Sequence, residues 1–317
     1  MINITVFSEE KAWSKRLKNQ SLFFKKVCKS FPKKYQFLNK KVYWIETSKE
    51  TKWHISANQL LKHCKNVDFN HQLLILNSPN NPSGQVCKNL NEISEIIKKY
   101  NILVLSDEIY SELAFDENYI SIFEHCPEQV IISNGLSKWC GAGGWRLGYF
   151  IIPKTKIDLI KSIKVLASET FSSVSSPIQY AAISAFEDNH DSYILKSKKI
   201  LKAVGEYVYR NLSSNNIIMN KPMGGFYLLP EFLNKKFNSS SMLCDEILTN
   251  LNIALLPGSD FGFDQKRMIV RLSFTDFDGD TFMKNINEKT DINDELIKLY
   301  APKVVEGVNK LKSWVEN

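Results

Sequence analysis

Between positions 73 and 153 short apolar runs alternate with one stretch of helical periodicity. Residues 73–76 are continuously apolar, Ile93, Ile96, Ile97 and Tyr100 fall on one helical face, and 102–105, 130–132 and 147–152 are further apolar runs. A strand without polar alternation must be covered on both faces, so the pattern predicts an α/β layer of mostly parallel strands. Helical spacing then takes over at 156–167 and 177–186, followed by a long helix whose stripe is Ile200, Leu201, Val204, Tyr207, Val208 and Leu212. Strand-like runs return at 226–229, 253–256 and 268–274, and the closing helix has Pro302 in its first turn with Val304, Val308, Leu311 and Val315 on one face. The division expected is a basic N-terminal segment over 1–41, a large α/β domain over 42–195 and a smaller α+β domain over 196–317.

Composition narrows the class. With 317 residues, 44% of them hydrophobic and 24% charged, the chain can bury a sizeable core, which excludes wholesale disorder and collagen-like repeats. No run approaches the roughly eighteen apolar residues of a membrane span, and Glu9, Glu10 and Lys11 stand where the apolar part of a signal peptide would lie, so a cytoplasmic location is expected. The cysteines Cys28, Cys64, Cys87, Cys126, Cys140 and Cys244 form no C-x-x-C pair and read as idle thiols, with no metal site. The net charge of +7 is concentrated at the start, where residues 1–65 hold 15 Lys and Arg against 4 Asp and Glu. The lysines are scattered through a stretch containing Phe23, Phe24, Val27 and Phe31 without a recognisable binding module. A solvated face is the better reading and a basic, RNA-associated protein the lesser one.

In open parallel sheets ligands collect beyond the carboxyl ends of the strands. Three loops there carry unusual residues: 77–84 reads NSPNNPSG, 106–110 reads SDEIY, and 133–146 runs from Ser133 through Lys138 and Gly141, Gly143 and Gly144 to Arg146. Singly each has an ordinary explanation, as turn chemistry, a helix cap or a surface charge. Together they supply what a phosphorylated pyridine aldehyde requires. Lys138 can form a Schiff base with the aldehyde, Asp107 can pair with the pyridinium nitrogen, and Tyr110 and Asn81 can donate to the ring oxygen. Arg146 behind its glycines offers the phosphate a planar fork and close backbone approach.

The strings NSPNNPSG, SDEIY and SNGLSKWCGAGGWRLGY, with PMGGFYLLP at 222–230 and the strand-like 268–274, resemble the class I/II aminotransferases of pyridoxal-phosphate fold type I, from about Lys41 onward. The resemblance implies a pyridoxal 5'-phosphate enzyme of amino acid metabolism, biosynthetic in role. It moves an amino group between an amino acid and a 2-oxo acid by a ping-pong mechanism. Lys138, Asp107 and Tyr110 are then catalytic, and Asn81, Asp107, Tyr110, Lys138 and Arg146 bind the cofactor. Arg271, with Asn81, binds the substrate carboxylate. An arginine inside an apolar strand calls independently for an anionic partner, either that carboxylate or a structural ion pair.

The resemblance also implies a homodimer with its site at the subunit interface. Family members open with a segment not found before Lys41, including a Gly/Ser-rich loop whose helix N-terminus holds the phosphate, so weakened cofactor binding is expected. Their cofactor-stacking aromatic would fall near Cys28 if Phe31-Pro32 aligns. A truncated, catalytically impaired remnant is the alternative reading, and the preferred amino acid is not legible.

Overall fold

The computed structural model describes residues 4–7, 21–24, 42–66, 72–235 and 237–316. The readings placed on the basic stretch of 1–41, including the position near Cys28, lie outside the described residues apart from two short strands. Seven strands build one sheet: β1 (Ile4–Phe7), β2 (Ser21–Phe24), β3 (Val42–Trp44), β4 (Gln72–Asn77), β5 (Leu103–Asp107), β6 (Val130–Gly135) and β7 (Gly148–Ile151), in the order β1-β7-β6-β5-β4-β2-β3. The pairs from β3 through β6 are parallel, and β7 runs antiparallel to both β6 and β1. The expected mostly parallel sheet is what forms.

The unbroken apolar runs have the anticipated cause. On β4, Leu74 and Leu76 face one way and join Val104 and Val130 against α1 (Ala57–Asn66) and α2 (Leu90–Lys99), through Leu60, Cys64, Ile93, Ile96 and Ile97. Leu73 and Ile75 face the other way and, with Leu105 and Ile131, pack on Ile160, Ile163 and Ala167 of α3 (Ile157–Phe171). Alternate side chains of one strand thus fill two cores, which leaves no face for polar residues. Helix α1 opens on a capping box in which Ser56 Oγ accepts from Gln59 N (3.2 Å) and Gln59 Oε1 accepts from Ser56 N (2.9 Å).

Beyond α4 (Ser176–Glu187), helix α5 (Asp191–Leu212) runs unbroken through positions 195 and 196 and buries the whole predicted stripe from Ile200 to Leu212. It anchors a second unit of short strands, β8 (Ile217–Ile218), β9 (Tyr227–Leu228) and β10 (Glu231–Phe232), then α6 (Ser240–Leu251), β11 (Leu256–Pro257), β12 (Val270–Ser273), α7 (Gly279–Lys284), α8 (Asp294–Tyr300) and α9 (Pro302–Glu316). Strand β12 lies between β11 and β9, antiparallel to both. Val304, Val308, Leu311 and Val315 are the buried face of α9, as their spacing requires.

Two predicted strands are shorter than their apolar runs. Asn252 ends α6 in the left-handed conformation, and Ile253 and Leu255 then pack on the core, so within 253–256 only Leu256 enters a ladder. At the other end, Met268 O accepts from Phe232 N (3.0 Å) and Ile269 bridges Glu231, so these residues are tied to the β10 side before β12 begins. Cys64, Cys87, Cys126 and Cys244 are buried free thiols and Cys140 is half-buried. Among the described residues no helix is long and apolar enough to cross a membrane, and no cluster of His, Cys, Asp and Glu could hold a metal ion.

Candidate active site

The three chemistry-bearing loops leave the same edge of the sheet, because β4, β5 and β6 are parallel neighbours in register. Asn77 pairs with Asp107 at the carboxyl ends of β4 and β5, and Asp107 pairs with Ser133, two residues before β6 ends. Asn77 then organises its own loop. Its Nδ2 donates to Asp107 O (2.9 Å) while its Oδ1 accepts from Asn81 N (2.7 Å), and the peptide bonds preceding Pro79 and Pro82 are both cis. Asp107 is half-buried at the end of β5. Among the described residues its carboxyl accepts from Ile109 N at a long 3.4 Å, and no cation forms an ion pair with it. Burial therefore dominates and pushes the carboxyl up to about 6, helped by the adjacent Glu108. Glu108 faces away from this edge, where Ser106 Oγ (2.8 Å) and Ser121 Oγ (2.5 Å) donate to its Oε1.

The second unit reaches the sheet edge through segment 223–227. Met223 N (2.8 Å) and Gly224 N (3.1 Å) donate to Gly84 O, Phe115 N donates to Met223 O (2.9 Å), and Gly225 N donates to Leu113 O (3.0 Å). Gly84 sits at φ +65°, and an added Cβ would be driven into the Tyr227 carbonyl, so only glycine lets loop 77–84 close on β9. This seam brings three aromatic side chains together. Tyr110 meets Phe226 and Tyr227 edge-on, at centroid distances of 5.6 and 5.9 Å, and Phe226 and Tyr227 lie 4.6 Å apart.

Lys138 and Arg271 both address that cluster. Lys138 Nζ stands 5.8 Å from the Tyr110 ring centre and 5.5 Å from that of Phe226. The Arg271 guanidinium lies over Tyr227 at 4.3 Å and Phe261 at 5.0 Å, and its Nη1 donates to Asn81 Oδ1 (2.9 Å). No carboxylate among the described residues pairs with Arg271, so the structural ion pair considered for it is not found there. The Tyr110 hydroxyl is 3.4 Å from that of Tyr227, and burial, more than any charge, holds the Tyr110 phenol far above its ordinary range. Of the six sequence-predicted residues, Asn81, Tyr110 and Lys138 from loops and Arg271 from β12 therefore meet at one cluster, and Asp107 ends β5 three residues before Tyr110. Arg146 stands apart from these contacts. It is exposed, has left-handed backbone (φ 57°), and its Nη1 donates to Gly143 O (2.8 Å).

A model of the aminotransferase class I and II family matches residues 30–282, most of the chain. The chain belongs to that family. It is 34% identical over 245 residues to an aspartate aminotransferase of Bacillus sp. (strain YM-2), covering 74% of this chain and 60% of that protein. Over 208 residues it is 36% identical to a probable N-acetyl-LL-diaminopimelate aminotransferase of Bacillus subtilis, covering 65% and 51% respectively. Among solved structures, the aspartate aminotransferase of Thermotoga maritima superposes with a TM-score of 0.76 at 22% identity, over 99% of this chain and 76% of that one, which is a likeness of fold. The chain spans between about half and just under two thirds of the length of the curated relatives it matches first.

The class I and II aminotransferases depend on pyridoxal phosphate, and most of the site suits that group. A half-buried carboxyl with no cationic partner among the described residues fits a pyridinium nitrogen, an amine facing aromatic rings fits an aldehyde, and a guanidinium close to two aromatic rings with no paired carboxylate fits an incoming one. The phosphate end fits less well, because Arg146 is committed to a neighbouring carbonyl. Sequence reasoning passed over Asn77, Phe226, Tyr227 and Phe261. The first three lie inside strings already noted, NSPNNPSG and PMGGFYLLP, where two adjacent glycines before two aromatics signal a close backbone approach. Phe261 had no such signal.

Proposed function

We propose that the chain is a pyridoxal-phosphate-dependent aminotransferase, exchanging an amino group between an amino acid and a 2-oxo acid. The observation that carries this reading is that Lys138, from the loop after β6, and Arg271, from β12, address one aromatic cluster, while Asp107 is half-buried at the same sheet edge with no cationic partner among the described residues. The reading divides the chain into a cofactor-binding part, 42–195, and a smaller part, 196–317, with the site at the seam.

Bound there, pyridoxal phosphate supplies an aldehyde that takes up amines and a pyridine ring that withdraws electrons from them. Lys138 would hold the group through Nζ, and as a free amine Nζ would take the proton from the substrate's Cα and return it to the product. Asp107 keeps a negative charge against the ring nitrogen. Asn81 Oδ1 accepts from Arg271, which leaves its Nδ2 to donate to the ring oxygen beside the Tyr110 hydroxyl. Arg271 fixes the substrate carboxylate and so aims Cα at Lys138. Arg146 would hold the phosphate, in exchange for its bond to Gly143 O. Buried Tyr110 and Tyr227, with half-buried Phe226, keep water from the cluster that Lys138 faces. Amino and oxo substrates use one site in turn, which gives ping-pong kinetics.

The reading extends to a homodimer and a cytoplasmic location, both supported by family membership alone. The names of its relatives leave aspartate, aromatic and diaminopimelate-type substrates open. A second reading, a family member that retains the ring and carboxylate ends but holds phosphate weakly, is favoured by the exposure of Arg146. Borohydride reduction of the pyridoxal-phosphate-treated chain followed by peptide mass mapping tests the proposal. A pyridoxyl group on Lys138 is expected, and its appearance only on exposed lysines contradicts it.

A further inference from the structure

Tyr227 touches both ends of the site. Its buried hydroxyl lies 3.4 Å from that of Tyr110, and its ring face lies under the Arg271 guanidinium, 4.3 Å from the charge centre. The contacts close a loop. Asp107 O binds Asn77 Nδ2, Asn77 Oδ1 binds Asn81 N, and Asn81 Oδ1 binds Arg271 Nη1. Arg271 stacks on Tyr227, Tyr227 meets Tyr110, and Tyr110 follows Asp107 by three residues.

We propose that Tyr227 is a positioning residue with two separable tasks: its ring seats Arg271 for a substrate carboxylate, and its hydroxyl makes the Tyr110 phenol sense whether that carboxylate is bound. The inference rests on the reading of Arg271 as the carboxylate site. A guanidinium seated over an aromatic ring is held in place without a charged partner, and beyond the one N–H that Arg271 gives to Asn81 its remaining N–H groups are available to a carboxylate. The second task follows from the charges. Arg271 acts through space to favour ionisation of Tyr110, while the Tyr227 hydroxyl opposes it. A carboxylate that neutralises Arg271 removes the favourable influence, so Tyr110 holds more firmly the proton it donates to the Tyr227 hydroxyl while substrate occupies the site. The Tyr110–Tyr227 hydrogen bond transmits the change, because the ring that carries that hydroxyl is the one the guanidinium covers.

The test uses the cofactor-free chain with 13Cζ-labelled tyrosine and propionate, a carboxylate without an amine. Tyr110 is assigned from Tyr110→Phe. In the wild type, propionate should move the Tyr110 and Tyr227 resonances along one saturation curve, and Arg271→Lys should weaken binding at least fivefold. Tyr227→Phe keeps the ring, so propionate affinity should stay within twofold while the Tyr110 response falls by more than half. Tyr227→Leu removes the ring and should weaken propionate at least fivefold. The proposal is overturned if Tyr110 responds as strongly in Tyr227→Phe, if Tyr227→Leu binds propionate like the wild type, or if the wild type binds none. Should the leucine variant fail to fold, the nearly isosteric phenylalanine variant still decides the coupling. No arm needs cofactor, so failure of Lys138 to hold pyridoxal phosphate would sink the aminotransferase reading without moving any of these signals.

Discussion

Replacing Asp107 with asparagine should stabilise the cofactor-free chain in neutral and alkaline solution while impairing the loaded one. Burial raises the carboxyl from 3.8 to about 6, and among the described residues it accepts from one backbone N–H, at 3.4 Å. The folded state therefore binds this proton more tightly than the unfolded state does. Stability that is fully present below the unfolded value is lost as pH rises through the folded value. A rise of that size corresponds to about 3 kcal/mol of penalty at pH 8 and, because the carboxyl is then mostly protonated, about 1.5 kcal/mol at pH 5. Asparagine carries no such penalty at either pH. Its amide brings its own gains and losses of hydrogen bonding, but these are the same at both pH values and cancel in the comparison. Urea unfolding at pH 8 and pH 5 should thus show the variant's advantage shrinking by about 1.5 kcal/mol on acidification. An advantage that is pH-independent, or larger at pH 5, would refute the claim that the site stores an unpaired carboxylate. With saturating pyridoxal phosphate the order should reverse, since the wild type gains more from binding.

Arg271→Ala should raise the amino-acid KM by about 100-fold, the loss of about 3 kcal/mol of charge-assisted hydrogen bonding, while the pyridoxal-phosphate Kd stays within a few-fold; steady-state kinetics beside an absorption titration separates the two. Gly84→Ala forces a Cβ onto a left-handed backbone and into the Tyr227 carbonyl, so a loss of at least about 2 kcal/mol is expected in urea unfolding. Its cofactor affinity should fall too, because the seam between loop 77–84 and segment 223–227 opens. Ser239→Ala removes the side chain that accepts from Met242 N at the start of α6 and should cost about 1 kcal/mol by the same measurement, with kinetics unchanged.

The sheet was legible because its signal is local. Residues 73–76 are apolar on both parities since Leu74 and Leu76 meet α1 and α2 while Leu73 and Ile75 meet α3, and no arrangement but a doubly covered strand requires that. The closing helix was legible for a similar reason, through Pro302 and a strict apolar stripe. Residues 253–255 misled because an apolar extended segment looks the same whether it pairs or merely packs, and the left-handed Asn252 that decides between them acts at one position. The candidate site divides along the same line. Lys138, Asp107 and Tyr110 stand in strings whose chemistry is self-announcing, and the turn residues around them mark strand ends. Tyr227 and Phe261 acquire their meaning only from where Arg271 lies, across strand pairings that no sequence interval encodes. The orientation of Arg146 likewise depends on a tertiary choice, here the nearby carbonyl of Gly143.

The central claim, that Lys138 is the covalent attachment point of a working site, is tested most directly by a visible absorption titration of the chain with pyridoxal phosphate beside Lys138→Ala. An amino-acid mixture is added at the end. The account predicts a band that saturates in the wild type, is missing from the variant, and changes when amino acids arrive. A wild-type chain shown by circular dichroism to be folded yet giving no Lys138-dependent band would contradict it.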